Sequence, residues 1–190
     1  LLVTKRVIRS PLNIVSVNRF NDQKNPELLI DIAKAIKSSP LYGKIKILVI
    51  GDGDRFKQCQ KLIDDESLND ILTLLGPTTN PRKYMAHADA FLSTSRWEGM
   101  PLAVLEAMAE GLPVIATKVV GNEDVMQDHV EGLFFKDDDA KSALVALKKI
   151  LSKEFRLRCS DAARKSVAEN YSVSNMVDET VKVYQEILIK

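Results

Sequence analysis

Short apolar runs alternate with amphipathic stretches along most of this chain. Six runs rich in Ile, Val, Leu and Phe predict β-strands, at residues 13–17, 44–50, 71–75, 90–93, 113–116 and 132–135. The stretches between them carry apolar residues at helical spacing, as at Leu28, Leu29, Ile32, Ala33 and Ile36. Strands that alternate with helices form βαβ units. The pattern therefore predicts an α/β fold, a doubly wound parallel sheet of about six strands with helices on both faces.

Turn and cap residues place the boundaries of these elements. Asn25 before Pro26 and Asn80 before Pro81 each predict an N-cap followed by the first residue of a helix. The acidic run Asp137–Asp139 precedes another helix, where carboxylates interact favourably with the helix dipole. The dipole explains this run without any ligand.

The chain divides into three segments. Residues 1–12 predict a linker or interdomain segment, residues 13–171 a single domain, and residues 172–190 a C-terminal helix capped by Ser172. That helix carries a long apolar stripe, with Val173, Met176, Val177, Val181, Tyr184, Ile187 and Leu188. Because the chain starts at Leu1 rather than Met, we expect it to be part of a longer protein.

Composition excludes several classes of protein. The chain is 45% hydrophobic and 28% charged with a net charge of +1, which gives no bulk-charge reason to expect a nucleic-acid partner. Cys59 and Cys159 are far apart, so we interpret both as core thiols rather than as a disulfide framework or metal ligands. No apolar run has membrane-spanning length and no signal peptide is visible. We therefore expect a cytoplasmic location, at the membrane surface if the longer protein docks there.

The segment from Ser93 to Gly111 carries the most distinctive chemistry. Pro101 opens a predicted helix, residues 102–109, whose apolar residues indicate burial on all sides. One carboxylate, Glu106, lies in its middle, and a buried carboxylate needs a partner. The partner could be structural, such as Lys118, a backbone amide or water at the helix edge. It could also be a ligand with two hydroxyl groups, since a carboxylate accepts two hydrogen bonds.

Glu98 and Glu106 are separated by seven residues within EGMPLAVLEAMAEGLPVIAT. This stretch resembles the E-x7-E motif of retaining glycosyltransferases with the two-domain GT-B fold, most closely family 4 (group 1). The resemblance implies that Glu106 holds the ribose hydroxyls of a sugar nucleotide and that Glu98 approaches the donor sugar. It also implies phosphate contacts from the backbone of the intervening loop, formed by Gly99, Met100, Pro101 and Leu102.

Two cations follow the first predicted strand. Arg19 and Lys24 lie where open α/β sheets bind ligands, at the carboxyl ends of the strands. The family carries an Arg and a Lys with this spacing, and the resemblance implies that both hold the diphosphate of the donor and act catalytically with Glu98. The chain departs from the family at Asn18, which replaces a common Gly, and at Val120, which replaces the first of two paired glycines.

The resemblance implies a complete activity for the longer protein. It would transfer sugar from a nucleoside diphosphate sugar, UDP-sugar or GDP-sugar, with retention of configuration and without a metal or cofactor. The acceptor, a glycan or a lipid-linked molecule of polysaccharide or lipopolysaccharide assembly, would bind an N-terminal domain on which the last helix docks. This C-terminal half by itself is expected to be inactive or nearly so, and the longer protein to associate peripherally with membranes.

Other functions remain open at this point. Gly51-x-Gly53 is similar to a nicotinamide-dinucleotide fingerprint, but Phe56 stands where the third Gly should be. Asp52-x-Asp54 is similar to a metal motif, but a turn and helix cap explain it, and we expect no metal site. We interpret Gly53 as part of a tight turn whose backbone approaches the nucleotide. A dehydrogenase domain, a non-catalytic nucleotide-binding module and a sugar-nucleotide epimerase are the alternatives.

Overall fold

The structure, a computed structural model, describes residues 11–188. Six strands form one sheet: β1 (Leu12–Val17), β2 (Ile45–Ile50), β3 (Leu72–Gly76), β4 (Ala90–Ser93), β5 (Val114–Thr117) and β6 (Gly132–Phe135). Each lies within one residue of the predicted strand at both ends. The first strand begins at Leu12, which was predicted to be the last residue of the linker. The rest of the linker falls outside the described residues.

Eight helices connect and flank these strands. They are α1 (Pro26–Lys37), α2 (Phe56–Asp65), α3 (Arg82–Met85), α4 (Leu102–Ala109), α5 (Val120–Val125), α6 (Ala140–Ile150), α7 (Lys153–Asn170) and α8 (Val173–Leu188). The six-residue helix α5 was not predicted, because its sequence VGNEDV has too few apolar positions to show a helical period.

All neighbouring strands pair in parallel, in the order β3-β2-β1-β4-β5-β6. The chain winds outward from β1 in one direction and returns to β4 on its other side. The predicted doubly wound sheet is therefore confirmed. Its switch point lies between β1 and β4, where the connections leave in opposite directions and open a crevice at the carboxyl edge.

Each face of the sheet has its own apolar core. Alternate residues of a strand point to opposite faces, so Ile14 packs with α1, α2 and α6 while Val15 packs with α4, α5 and α7. Cys59 and Cys159 are buried, which confirms their interpretation as core thiols. This packing fixes the strand ends and hence the loops that follow them.

Several predicted caps differ in the structure. Asn25 does not cap α1: its backbone is left-handed (φ 48°) and its side chain makes no cap hydrogen bond, although Pro26 does begin the helix. Likewise no aspartate caps α2, and Asp52 instead accepts a bond from the Gly53 N–H at 2.8 Å. The predicted Ser172 cap is confirmed by the 3.1 Å bond from the Asn175 N–H.

The last helix, α8, lies on the surface of the described domain. None of its residues is buried, and Val173, Met176, Tyr184, Ile187 and Leu188 are all exposed. Its apolar stripe therefore exists as predicted, and its docking on another domain stays a prediction. No helix within residues 11–188 has the length and apolar character needed to cross a membrane.

Candidate functional site

Four loops meet at the carboxyl edge of the sheet around the switch point. They follow β1, β4, β5 and β6 and bring together residues far apart in sequence. The loop after β1 carries Arg19 and Lys24, and the loop after β4 carries Glu98. The sequence predicted these three as neighbours, and the fold places Lys24 directly against Glu98.

The Lys24 ammonium group lies 2.5 Å from Oε1 of Glu98. The same oxygen accepts a 2.6 Å bond from the Ser95 hydroxyl. Both side chains are largely shielded from solvent, 21% exposed for Lys24 and 6% for Glu98. Low exposure strengthens a charged hydrogen bond, and it makes the loss of either partner costly.

Further hydrogen bonds hold the loops after β1 and β4 together. The Thr94 hydroxyl donates to the Lys24 carbonyl oxygen at 2.9 Å, and the Arg96 N–H donates to the Gln23 carbonyl oxygen at 2.8 Å. The Gln23 side chain returns a bond to the Trp97 carbonyl oxygen at 3.1 Å. The two loops therefore behave as one rigid unit.

Asp138 joins this unit to the loop after β6. Its Oδ1 accepts from Asn25 at 2.6 Å and from Arg96 at 3.3 Å. Asp139 alone of the acidic run caps α6, through a 2.9 Å bond from the Ser142 N–H. The dipole thus does not account for Asp138. Sequence reasoning missed this role, because Asn25 and Asp138 lie 113 positions apart.

A cleft of about 440 Å³ opens beside the Lys24–Glu98 pair. Its lining includes Arg19, Lys24, Gly51, Thr78 and Ala103, which come from the ends of β1, β2 and β3 and from α4. Arg19 is exposed. Two cations therefore line a cleft that has room for a mononucleotide.

Gly53 does not line this cleft. A Cβ at Gly53 would lie 2.8 Å from the backbone N and O of Phe20, so the residue serves a close approach between two loops. Its neighbour Gly51, with φ 141°, does line the cleft and packs against the Asn18 backbone even more closely, since a Cβ there would lie 1.8 Å from the Asn18 carbonyl oxygen. The predicted tight turn exists, and it presents Gly51 rather than Gly53.

Helix α4 is not buried on all sides, contrary to the sequence prediction. Leu102 is 65% exposed and Glu106 is exposed. Val104, Ala107 and Met108 form its one buried stripe. Ala103 lines the cleft, and residues three apart share a helix face, so Glu106 lies one turn beyond the cleft. The apolar composition of the helix misled the prediction, because several of its apolar residues face outward.

The loop before α4 offers fewer backbone donors than its length suggests. Pro101 has no N–H, and the Leu102 N–H donates to the Met100 carbonyl oxygen at 2.9 Å. Gly99 and Met100, both exposed, remain as the amide donors of this loop.

Both departures from the family pattern fit their surroundings. Asn18 does not adopt a positive φ. Its amide donates to the Ser16 hydroxyl at 3.0 Å, and its buried Oδ1 has no partner within the described range. Gly121 packs directly on Glu98, where a Cβ would lie 2.5 Å from the Glu98 carbonyl oxygen. The second glycine position is therefore essential to the loop packing, whereas the first, Val120, points to solvent.

Other groups lie apart from this cleft. His87 and His129 are exposed. In residues 11–188 no group of three or more His, Cys, Asp or Glu side chains is arranged to hold a metal ion. A groove of about 710 Å³, bordered by Ile14, Lys46, Thr73 and Tyr84, contains none of the predicted site residues.

Comparisons with known proteins extend over nearly the whole chain. A family profile described as Glycosyl transferases group 1 matches residues 5–166. The chain is 27% identical over 182 residues to an Escherichia coli UDP-Gal:alpha-D-GlcNAc-diphosphoundecaprenol alpha-1,3-galactosyltransferase, covering 95% of this chain and 47% of that protein. It is 32% identical over 154 residues to the amylovoran biosynthesis glycosyltransferase AmsK of Erwinia amylovora, covering 77% and 37%. The chain thus spans about half or less of these relatives.

Solved structures share the fold at low sequence identity. Anabaena HepE in complex with UDP gives a TM-score of 0.83 at 19% identity, covering 93% of this chain and 49% of that one. A S. aureus TarM variant in complex with Fondaparinux, alpha-GlcNAc-glycerol and UDP gives 0.84 at 22% identity, covering 97% and 38%. These matches show a common Rossmann-like fold.

Proposed function

Because the chain belongs to the group 1 glycosyl transferases, we propose that it is the donor-binding half of a GT-B enzyme and binds a UDP-sugar. We favour UDP as the nucleotide because HepE and TarM were each solved in complex with it. The Escherichia coli relative is likewise named for a UDP-Gal donor. GDP-sugar is the alternative donor.

The diphosphate would lie between the two cations and the loop before α4. Arg19 and Lys24 both line the cleft, and fixed positive charge there would stabilise the departing diphosphate. The amides of Gly99 and Met100, close to the start of α4, would add neutral donors at a helix N-terminus. These groups can supply the stabilisation without a metal, so we propose a metal-independent reaction.

The nucleoside would extend along the cleft away from these two cations. Gly51 and Thr78 belong to its wall, and a base could approach the glycine backbone closely because no side chain intervenes. Glu106 follows Ala103 by one turn on the exposed side of α4. A carboxylate there can accept hydrogen bonds from both ribose hydroxyls.

The donor sugar would lie next to Glu98. In the free chain Lys24 neutralises Glu98 and limits the cost of shielding that carboxylate from solvent. When the diphosphate arrives, Lys24 can share its donors between phosphate and carboxylate, since an ammonium group has three. Glu98 can then accept from sugar hydroxyls and orient the anomeric carbon for transfer with retention of configuration.

The longer protein would complete the reaction. A glycan or lipid-linked acceptor would bind an N-terminal domain, and the exposed apolar stripe of α8 would dock on that domain. We propose a cytoplasmic enzyme that meets lipid-linked acceptors at the membrane surface, and we expect residues 1–190 by themselves to turn over little or no substrate.

Two observations support this proposal most strongly: Arg19 and Lys24 line one cleft, and Lys24 is paired with Glu98 beside it. Calorimetric titration with UDP, GDP, ADP and NAD, in EDTA and then in magnesium, tests it. We expect UDP to bind in either buffer, and Glu106→Ala to weaken binding by about tenfold, as expected for loss of a charged hydrogen bond. Glu169→Ala, on the exposed side of α7, is the matched control. Binding of NAD without any nucleoside diphosphate would contradict the proposal.

A further inference from the structure

A buried series of hydrogen bonds runs from α5 to the loop that carries Glu98. We propose that Asn122, Thr117 and Ser95 are positioning residues that fix the Glu98 carboxylate for the hydroxyl groups of a donor sugar. The inference rests on the function proposed above, because it concerns Glu98, the carboxylate that we assign to the donor sugar.

The bonds connect one residue to the next in an unbroken order. The Asn122 amide donates to the Thr117 carbonyl oxygen at 2.9 Å and lies 3.5 Å from its hydroxyl. The Thr117 hydroxyl donates to the Ser95 carbonyl oxygen. The Ser95 hydroxyl in turn donates to Oε1 of Glu98 at 2.6 Å. The end of β5 therefore holds the backbone of the residue whose hydroxyl binds the Glu98 carboxylate.

These groups are shielded from water. Thr117 and Asn122 are fully buried, and Ser95 is 2% exposed. Hydrogen bonds in such surroundings are stronger than at the surface and reinforce one another along a series. Because water cannot replace a missing donor there, removal of one hydroxyl would leave the Ser95 carbonyl oxygen without its buried partner.

The backbone of α5 supports Glu98 from the same side. Gly121 packs on the Glu98 backbone so closely that a Cβ would lie 2.5 Å from its carbonyl oxygen. Lys24, from the loop after β1, holds the carboxylate through Oε1. Glu98 is thus enclosed between β5–α5 and the loop after β1, which leaves it little freedom.

Two features separate a positioning role from ordinary packing. Both bonds to the Glu98 side chain end on Oε1, and within residues 11–188 none ends on Oε2, which stays available to a ligand hydroxyl. In addition, Oδ1 of Asn122 is buried with no partner among the described residues. An unpaired buried acceptor costs stability, and such costs are expected at functional sites.

Thr117→Val tests the inference, because valine keeps the shape of threonine and lacks its hydroxyl. Trp97, the chain's one tryptophan, precedes Glu98 and reports the mobility of the loop through its fluorescence anisotropy. We expect Thr117→Val to lower this anisotropy in the free chain. We also expect the affinity gain of a UDP-sugar over UDP to fall roughly threefold to tenfold, with UDP affinity unchanged.

Companion variants make the result specific. Thr117→Ser should restore both readouts, and Ser95→Ala should reproduce the loss of sugar affinity without altering β5. Ser160→Ala removes another hydroxyl that donates to a backbone carbonyl, that of Gly111 at 2.7 Å, and should change neither readout. The probes are UDP and the tightest binder among UDP-glucose, UDP-galactose and UDP-N-acetylglucosamine.

The outcomes separate this inference from the proposed function. Absence of UDP binding by the wild-type chain would overturn the proposed function and, with it, the sugar role of Glu98. The anisotropy needs no ligand and would still show whether the hydroxyl series holds the loop. If UDP binds, unchanged anisotropy in Thr117→Val, or equal losses of UDP and UDP-sugar affinity, would overturn the positioning role.

Discussion

At the level of single residues, the site depends on the Glu98 carboxylate, in which one oxygen accepts two hydrogen bonds. Oε1 of Glu98 accepts from both Lys24 and Ser95. Arg19, by contrast, is exposed at the cleft. Removing Lys24 would therefore disturb the unliganded site, whereas removing Arg19 changes only what a ligand meets.

Arg19→Ala should weaken UDP binding by about tenfold or more, the value of one charge-assisted hydrogen bond to phosphate. The midpoint of thermal unfolding should not change, since an exposed side chain contributes little to stability. Calorimetry with UDP measures the first quantity. Arg158→Ala on α7 is the control, and an equal loss of affinity in that variant would show that net charge rather than position matters.

Gly121→Ala should lower the affinity for a UDP-sugar more than the affinity for UDP. The new Cβ would meet the Glu98 backbone at 2.5 Å and displace the carboxylate, while the diphosphate groups stay in place. Gly43→Ala is the matched control. Gly43 has φ 72° and open space around it, so that variant should lose stability and keep both affinities.

At the scale of elements, the joint between β1 and α1 has a constrained geometry. Asn25 is 1% exposed and left-handed, and its side chain reaches Asp138. The left-handed turn lets the chain enter α1 directly at Pro26 while Lys24 still faces Glu98. A residue that cannot adopt this left-handed backbone conformation would disturb both the start of α1 and the position of Lys24 in the site.

Asn25→Ala should lower the free energy of unfolding by about 2 kcal/mol, because alanine is strained in the left-handed region and the bond to Asp138 is lost. Asn25→Gly should cost less, since it loses the bond without the strain. Urea unfolding of both variants measures the difference. Equal losses would show that backbone strain plays no part.

The sequence predicted the elements better than their mutual contacts. Apolar runs located all six strands. The strands β4, β5 and β6 are buried along almost their whole length, and β1 and β2 each have only one exposed position, so their sequences are mostly apolar. The apolar pattern failed at α4, where Leu102 and Glu106 face outward, because composition cannot show which side of a helix meets the sheet. It also could not find the Asn25–Asp138 contact, which exists only once β1 and β6 share a sheet.

At the level of the whole molecule, the last helix contributes no residue to the two apolar cores described within residues 11–188. The two cores are built from elements before Tyr171, and no residue of α8 is buried. Stabilisation by the hydrophobic effect scales with the apolar area removed from water. The apolar stripe of α8 therefore adds little stability to this part of the protein.

Truncation after Tyr171 should change the free energy of unfolding by less than about 1 kcal/mol, because the lost helix buries so little apolar area. Urea unfolding of residues 1–171 and 1–190 measures the change. A truncated chain that fails to fold cooperatively would show that α8 belongs to the domain and would contradict the predicted boundary at residue 171.

The two buried thiols give the whole molecule a pH dependence in alkali. Burial raises the pKa of Cys59 and that of Cys159 from 9.0 to about 11. Between these values the unfolded chain releases thiol protons that the folded chain keeps, so stability should fall as pH rises from 9 to 11. The slope is at most about 1.4 kcal/mol per pH unit for each thiol.

Urea midpoints of the wild type and of a double variant, Cys59→Ala with Cys159→Ala, measure this contribution. The double variant should lose less stability than the wild type between pH 9 and 11, because the two proteins have the same titratable groups apart from these thiols. Parallel pH profiles would show that the thiols do not couple to folding.

The position of bound UDP is the first measurement to make, because it shows whether the nucleotide binds in the cleft at the β1–β4 switch point. Backbone amide chemical shifts of the isotopically labelled chain, followed during titration with UDP, locate the nucleotide without any assumption about activity. We expect the perturbed amides to cluster at residues 18–24, 51–53, 76–81 and 98–106, around the cleft at the β1–β4 switch point. Perturbations centred instead on the groove beside Lys46, Thr73 and Tyr84, or the absence of any, would contradict it.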